Sequence, residues 1–462
     1  MANSIGITAA PEAQSANADD VSAPLFPLPF TPFEFYYLLE DRADFPSVFP
    51  VTLECRGDLD RAAFAQAYQI AHVRHPFLSA RINSDARGWP YWSDGETVSL
   101  QWTEANSTAS SPAVCVADTG GLRLRVSRDG DRHTFQFIFH HVAVDGMGAF
   151  LFIADLFLAY AHYCSGEAGE PELRPLQPQR LRDRDGHQLF NRKVKLIDLL
   201  RLGKVFGGLQ FRRPAVVVNH NEPCRESLPV DTIGEYLVHH LTEAETAALS
   251  RVARVQTVML HDLLLRDYFL TLERWNRGTR EGRRPIRMAV PTNLRRREDY
   301  RMPAANVFSL AFITRQGRQC LRRGELLTSI RDEMALIKSQ KRGQYFEAGL
   351  RISSFWPTLM RWSVNRKWPF ATAVFTNLGT GLDNVPLPAI DGLKVCGALT
   401  FEGGAGAGPL RPDTRVSIAV HTYAGRMAVC LRCDPSLFRI EQQREILDSY
   451  IEHLRATIES AT

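Results

Sequence analysis

The chain has 462 residues, enough for two or three domains at the usual ~100–200 residues each. A hydrophobic fraction of 45% with 23% charged residues excludes a disordered or fibrous protein. Lys+Arg at 55 against Asp+Glu at 51 leaves a formal charge of +4, which gives no whole-chain field for nucleic acid.

The first 24 residues hold no Lys or Arg and no apolar run. They read as a loose tail rather than a signal peptide, and the protein is expected to be cytoplasmic. In GDLDRAAFAQAYQIAHVRHP, Asp60 is placed to cap a helix whose apolar face is Phe64, Ala67, Tyr68 and Ala71, with Leu59 stapled onto Phe64. Pro76 stops it. A hairpin follows, LRLRVS turning at Asp129-Gly130 into HTFQFIFHH. Phe135, Phe137 and Phe139 share a face, the period of two adds His141 to it, and His140 points the other way. The stretch from Gly146 to Cys164 approaches membrane-spanning length, but Asp155 at its middle would cost ~2.5–3.5 kcal/mol there. It is read as a buried helix.

Between roughly 170 and 230, Pro171, Pro175, Pro178, Pro214 and Pro223 bracket a basic segment that reads as a crossover between two halves. Leu181 to Arg213 carries nine Lys/Arg against three Asp/Glu, interleaved with apolar residues. Three readings stand for it: a peripheral membrane face, a dock for an acidic carrier protein or CoA phosphates, or a connector with one side packed down. The second half opens with a capping box, Thr242 and Glu245, then an apolar helix around 257–275. Strands alternate in PIRMAVP, VFSLAFI and the hairpin RVSIAVHTYAGRMAVCLRC, and Leu447, Tyr450, Ile451, Leu454 and Ile458 line a last helix. Eight cysteines over this length make no disulfide framework, and Cys430 and Cys433 have no second pair to complete a zinc or redox motif.

The sharpest feature is HHVAVDG, with His140, His141, Asp145 and Gly146 at the junction of the aromatic strand and the buried helix. A full H-H-x-x-x-D-G string arises by accident in on the order of one chain in a thousand. An imidazole with an ordinary pKa near ~6.5 is mostly neutral at pH 7 and can take a proton from a hydroxyl or amine. Asp145 can pair with an Arg and hold the turn, and Gly146 allows a close backbone approach or a positive φ. Two plainer readings compete: a satisfied core histidine, or a metal site from His140, His141 and Asp145. Adjacent strand residues diverge and no third ligand cluster stands out, which counts against the metal. No G-x-S-x-G elbow or P-loop occurs, and Gly403–Pro409 lacks dinucleotide-fingerprint spacing and reads as a flexible loop or a surface turn.

HHVAVDG resembles the active-site signature of the condensation-domain and CoA-dependent acyltransferase superfamily. MAVPTNLRRR is similar to its P-x-N-x-R strand, ANVFSLAFI to its Gly-Asn strand with Ala305 where Gly is usual, and AVFTNLG to its Ser/Thr-Asn loop. The resemblance implies an α+β fold of two chloramphenicol acetyltransferase-like lobes, each a mixed, largely antiparallel sheet with helices, and an active-site tunnel between them. Boundaries follow at 1–24 (tail), 25–175 (N-terminal lobe), 176–230 (basic crossover) and 231–462 (C-terminal lobe). It also implies that His141 is a general base and Asp145 a structural carboxylate paired with Arg295. Thr376, Asn377 and His140 become candidates for the channel or oxyanion. The implied reaction moves an acyl group from a CoA or carrier-protein thioester to an alcohol or amine, with no metal and no further cofactor. No D-F-G-W-G occurs, and the opening PLPFTPFEFYYLLED lacks the Gln-Arg-Leu-Trp-like start of peptide-synthetase condensation domains. The free-standing branch of wax ester/diacylglycerol synthases, polyketide-associated acyltransferases and alcohol acetyltransferases is therefore the better likeness. The rival reading is a non-catalytic module that holds a carrier-tethered or lipid substrate.

Overall fold

The computed structural model describes residues 24–86, 88–104, 120–185, 196–220, 236–339, 344–365, 369–411 and 413–460. The expected tail, apart from Pro24, lies outside them, as do 186–195 and 221–235 of the crossover.

Two sheets, each flanked by helices, make two lobes. The seven-stranded sheet runs Ala389–Ile390, Leu393–Cys396, Leu399–Gly406, Val48–Arg56, Arg132–His140, Leu122–Asp129, Gln101–Glu104. The six-stranded sheet runs Phe308–Arg315, Ile286–Asn293, Ala373–Asn377, Val416–Tyr423, Arg426–Cys433, Leu237–His240. Pairing is antiparallel except where Ala373–Asn377 meets its two neighbours and where Gln101–Glu104 meets Leu122–Asp129.

Local signals explain most elements. Asp60 Oδ1 accepts from the Ala62 and Ala63 amides and starts the helix Arg61–Arg74, whose Phe64, Ala67, Tyr68 and Ala71 are buried. Thr242 and Glu245 form the capping box of Glu243–Val255. Gly130 takes φ +61 in the turn of the hairpin Leu122–Asp129/Arg132–His140. The helix Gly146–Ser165 is long and apolar enough to cross a membrane, yet it lies in the core of the N-terminal lobe. Its Asp155 accepts from Arg74 Nε at 2.9 Å and His75 Nε2 at 3.2 Å, with Arg174 Nε at 3.6 Å. Burial alone would raise this carboxyl, but His75, Arg174 and Arg74 outweigh it and hold the pKa below the ordinary value.

One expectation is corrected. The first part of the Gly403–Pro409 run lies inside the strand Leu399–Gly406, where Gly404 and Gly406 pair with Leu53 and Val51, and only Ala407, Gly408 and Pro409 continue as a loop. Glycine suits this strand: a Cβ on Gly404 would stand 3.0 Å from both the Thr52 carbonyl and Leu53 Cδ2. The segment Ala389–Gly406, numbered within the C-terminal half, thus extends the N-terminal sheet and ties the lobes together by backbone hydrogen bonds.

Between the lobes lies a third core built around the helix Pro32–Glu40, where Phe33 meets Phe308 edge-on at 4.8 Å and Phe346 at 6.2 Å. The first turn of the basic segment is anchored here. Leu181 is buried, and Arg184 donates to Glu34 Oε1 at 2.6 Å and Oε2 at 2.8 Å. That stretch packs as a connector.

Candidate active site

The strand Arg132–His140 carries the histidine pair to the lobe junction, and His141 N donates to the Ser47 carbonyl at 2.7 Å. His140 turns inward. Its Nδ1 accepts from Val142 N at 3.2 Å, so Nε2 holds the proton and faces Asp41 Oδ2 at 3.2 Å. Both nitrogens are used and the ring is fully buried away from the cavity, which removes His140 from the channel candidates.

Asp145 holds the turn. Its Oδ1 accepts from Gly148 N at 2.7 Å and caps the helix Gly146–Ser165. Its Oδ2 accepts from Arg295 Nη1 and from Val307 N, each at 2.8 Å. Arg295 Nη2 donates to the Ala305 carbonyl at 2.8 Å, and Asn306 Nδ2 donates to the His141 and Val142 carbonyls at 2.8 Å. The turn of one lobe is therefore clamped by a strand and loop of the other. Gly146 does not use positive φ; it opens the helix, and a Cβ there would stand 3.0 Å from Leu378 Cδ2.

His141 is sandwiched between aromatic rings: Tyr37 stacks on it at 4.6 Å, Phe308 at 5.2 Å, and Phe49 is tilted at 5.0 Å. Burial pushes its pKa down to about 4, with Asp145 pulling the other way and His140 and Arg411 adding to the fall. The ring is neutral at pH 7. Nδ1 is enclosed and faces the residue's own backbone, which favours a proton there, and Nε2, without a hydrogen-bond partner among the described residues, reaches a cavity of about 170 Å³. Both lobes line this cavity: Phe49, His141 and Met147 from one, Phe308, Thr376 and Asn377 from the other.

The polar atoms on the cavity wall are few. Asn377 Oδ1 accepts from Gly379 N at 2.9 Å, which leaves the Nδ2 amide as a donor. Thr376 lies beside it on the strand Ala373–Asn377. Arg411 is the residue the sequence did not disclose. Its Nη2 donates to Glu40 Oε1 at 2.7 Å and meets Tyr36 Oη, while Nε and Nη1 make no hydrogen bond among the described residues. Its charge is secure: burial works against the cation, but Glu40 and then Tyr36 raise its pKa above the ordinary value. Tyr37 was also missed, and Asn306, the Asn of the Gly-Asn likeness, carried no assigned role. No local signal marks Arg411 or Tyr37, since each acts through residues remote in the chain. Among the described residues, no group of three His, Cys, Asp or Glu side chains is placed to hold a metal ion.

No family model and no curated protein matches this sequence. Solved structures match nearly end to end. The first condensation domain of the CDA synthetase superposes with TM-score 0.66 at 15% identity, covering 94% of this chain and 96% of that one. The fold is that of a condensation domain. The starter condensation domain of rhizomide synthetase, in complex with C8-CoA, has TM-score 0.66 at 12% identity, over 94% of this chain and 96% of that one. The epimerization domain from the third module of tyrocidine synthetase B has TM-score 0.64 at 14% identity, over 94% and 97%. The condensation-domain fold is thus shared by proteins named for different reactions, and the reaction has to be argued from the site.

Proposed function

We propose that this chain is an acyltransferase that moves an acyl group from a CoA or carrier-protein thioester to an alcohol or amine, with His141 as general base. One observation carries the reading: His141 is neutral, rigidly stacked, and presents an unbonded Nε2 to a cavity walled by both lobes. The acceptor O–H or N–H passes its proton to Nε2 while its heavy atom bonds to the thioester carbonyl carbon. The C–S bond then breaks, and the leaving thiolate recovers the proton from His141. Negative charge on the carbonyl oxygen falls where Asn377 Nδ2 and the free N–H groups of Arg411 stand ready, and His141, now protonated, balances it.

No step needs a metal or redox cofactor, and a cytoplasmic setting agrees with the cysteines: Cys55, Cys164, Cys320, Cys396, Cys430 and Cys433 are free. The C8-CoA complex of the rhizomide starter domain supports a CoA thioester as donor. The experiment is a panel of acyl-CoAs with mixed alcohols and amines, following thiol release and product mass. Acylated product should form, and His141→Ala should cut turnover by about 10²–10⁴ with the fold intact. Binding of both ligands without any dependence on His141 would establish the non-catalytic module instead, and accumulation of free acid would mean thioester hydrolysis.

A further inference from the structure

Large apolar side chains stand out in the open on three packed elements remote in sequence. Helix Gln344–Ser354 packs against helix Leu196–Phe211 and runs through Phe355 and Trp356 into helix Pro357–Val364. Phe355 is 73% exposed, Trp356 58% and Trp362 57%, with Leu200 at 63% and Phe211 at 81% on the crossover helix. This is a concentration of aromatic surface that a monomeric soluble protein does not usually leave bare. The inner side of the same helices is ordinary core: Phe346, Leu350, Met360 and Leu209 are buried.

The unpaired charges beside these residues are basic, because the acids nearby, Glu333 and Asp185, are paired with Arg315 and Arg351. Lys204, Arg212 and Arg361 are exposed and have no ion-pair partner among the described residues. The acid on the central helix does not offset them. Glu347 is buried, and burial, then Asp185, push its carboxyl up to about 8 against the pull of Arg351. A groove of about 480 Å³ opens between the two helices, with Lys204 and Arg212 on its rim and Phe312 and Phe346 inside. Leu310 lines both that groove and the His141 cavity.

We propose that this face, built from helices Leu196–Phe211, Gln344–Ser354 and Pro357–Val364, docks on an anionic lipid bilayer. Trp and Phe take the headgroup level and the unpaired Lys and Arg meet lipid phosphates, the pattern of an interfacial anchor. An acidic protein partner would answer the charge as well, but the largest exposed rings stand outward beside the groove, as anchors at the headgroup level do. The groove then opens toward the lipid phase and leads to Leu310, so a substrate dissolved in the bilayer would arrive on the side nearest the reacting cavity. The inference does not depend on the acyl-transfer reading.

The test is sedimentation of the full chain with vesicles of phosphatidylcholine alone and of phosphatidylcholine with phosphatidylglycerol. The wild type should pellet with the anionic vesicles, less with the neutral ones, and release as salt rises. Phe355→Ser with Trp356→Ser, and separately Lys204→Glu with Arg361→Glu, should each weaken binding at least about tenfold while melting like the wild type. His141→Ala should bind as the wild type does, which separates this result from the fate of the acyltransferase reading. Failure to bind either vesicle, undiminished binding by both variants, or self-association abolished by the aromatic variant in place of vesicle binding would each overturn the proposal.

Discussion

Two buried histidines, His75 and His141, show what separates a structural imidazole from a reacting one. Each sits near a carboxylate of one helix, Asp155 within Gly146–Ser165 and Asp145 at its cap, and burial lowers the pKa of both. At His75 both nitrogens are used: Nδ1 accepts from Ala304 N at 2.8 Å and Nε2 faces Asp155 at 3.2 Å. At His141 one nitrogen faces the residue's own backbone, Nε2 has no partner among the described residues, and the nearby carboxylate spends its oxygens on Arg295, Val307 and Gly148. Burial and neutrality are common to both. A free nitrogen on a cavity is what differs.

The comparison can be broken by experiment, and the largest effect should come from His141→Ala, which costs about 10²–10⁴ in turnover and moves the melting temperature little. Next, Arg295→Ala or Asp145→Ala should lower stability by roughly 3–5 kcal/mol, because a buried charge loses its partner, and activity should fall with it. Urea unfolding checks this. His75→Leu should do the opposite of the His141 change. It strands the Ala304 amide and costs roughly 2 kcal/mol, while turnover per folded molecule stays near wild type. A double change, Arg411→Gln with Glu40→Gln, keeps the pair neutral and hydrogen-bonded but removes the cation from the cavity. It should lower kcat by about 10²-fold with a small effect on KM, as for loss of one oxyanion donor.

A further effect is on pH dependence. His72 is held at about 3 and His141 and His261 at about 4 in the folded chain, each mainly by burial, and His75 is lowered as well. An unfolded histidine titrates near ~6.5, so below that value the unfolded chain binds more protons than the folded one. The stability these rings contribute is complete above ~6.5 and drains away as the pH falls toward 4. Denaturation midpoints recorded from pH 8 to pH 4 should fall across that window. kcat/KM should hold to lower pH than an ordinary histidine allows, with its acid limb near 4 rather than near ~6.5.

Much of the architecture was legible because its causes are local. Asp60, Thr242 and the alternation of Leu122, Leu124 and Val126 specify their elements through neighbours a few residues away. HHVAVDG could be read as a site for the same reason, since strand, turn and cap are contiguous. Long-range pairing decided the rest. The glycines of Leu399–Gly406 look like loop residues until Val48–Arg56 offers them a ladder, and His140 looks like a channel candidate until Asp41 takes its Nε2.

By itself the sequence determined where helices and strands begin and which residue types meet at the turn, because capping and periodicity act within a few residues. Only the tertiary structure decided that Val142 and Asp41 use up both nitrogens of His140, that Arg411 joins the cavity wall, and that the second half lends three strands to the first sheet. Those outcomes depend on which distant groups satisfy each buried donor and acceptor, and hydrogen bonding of that kind has no signature in the local chain.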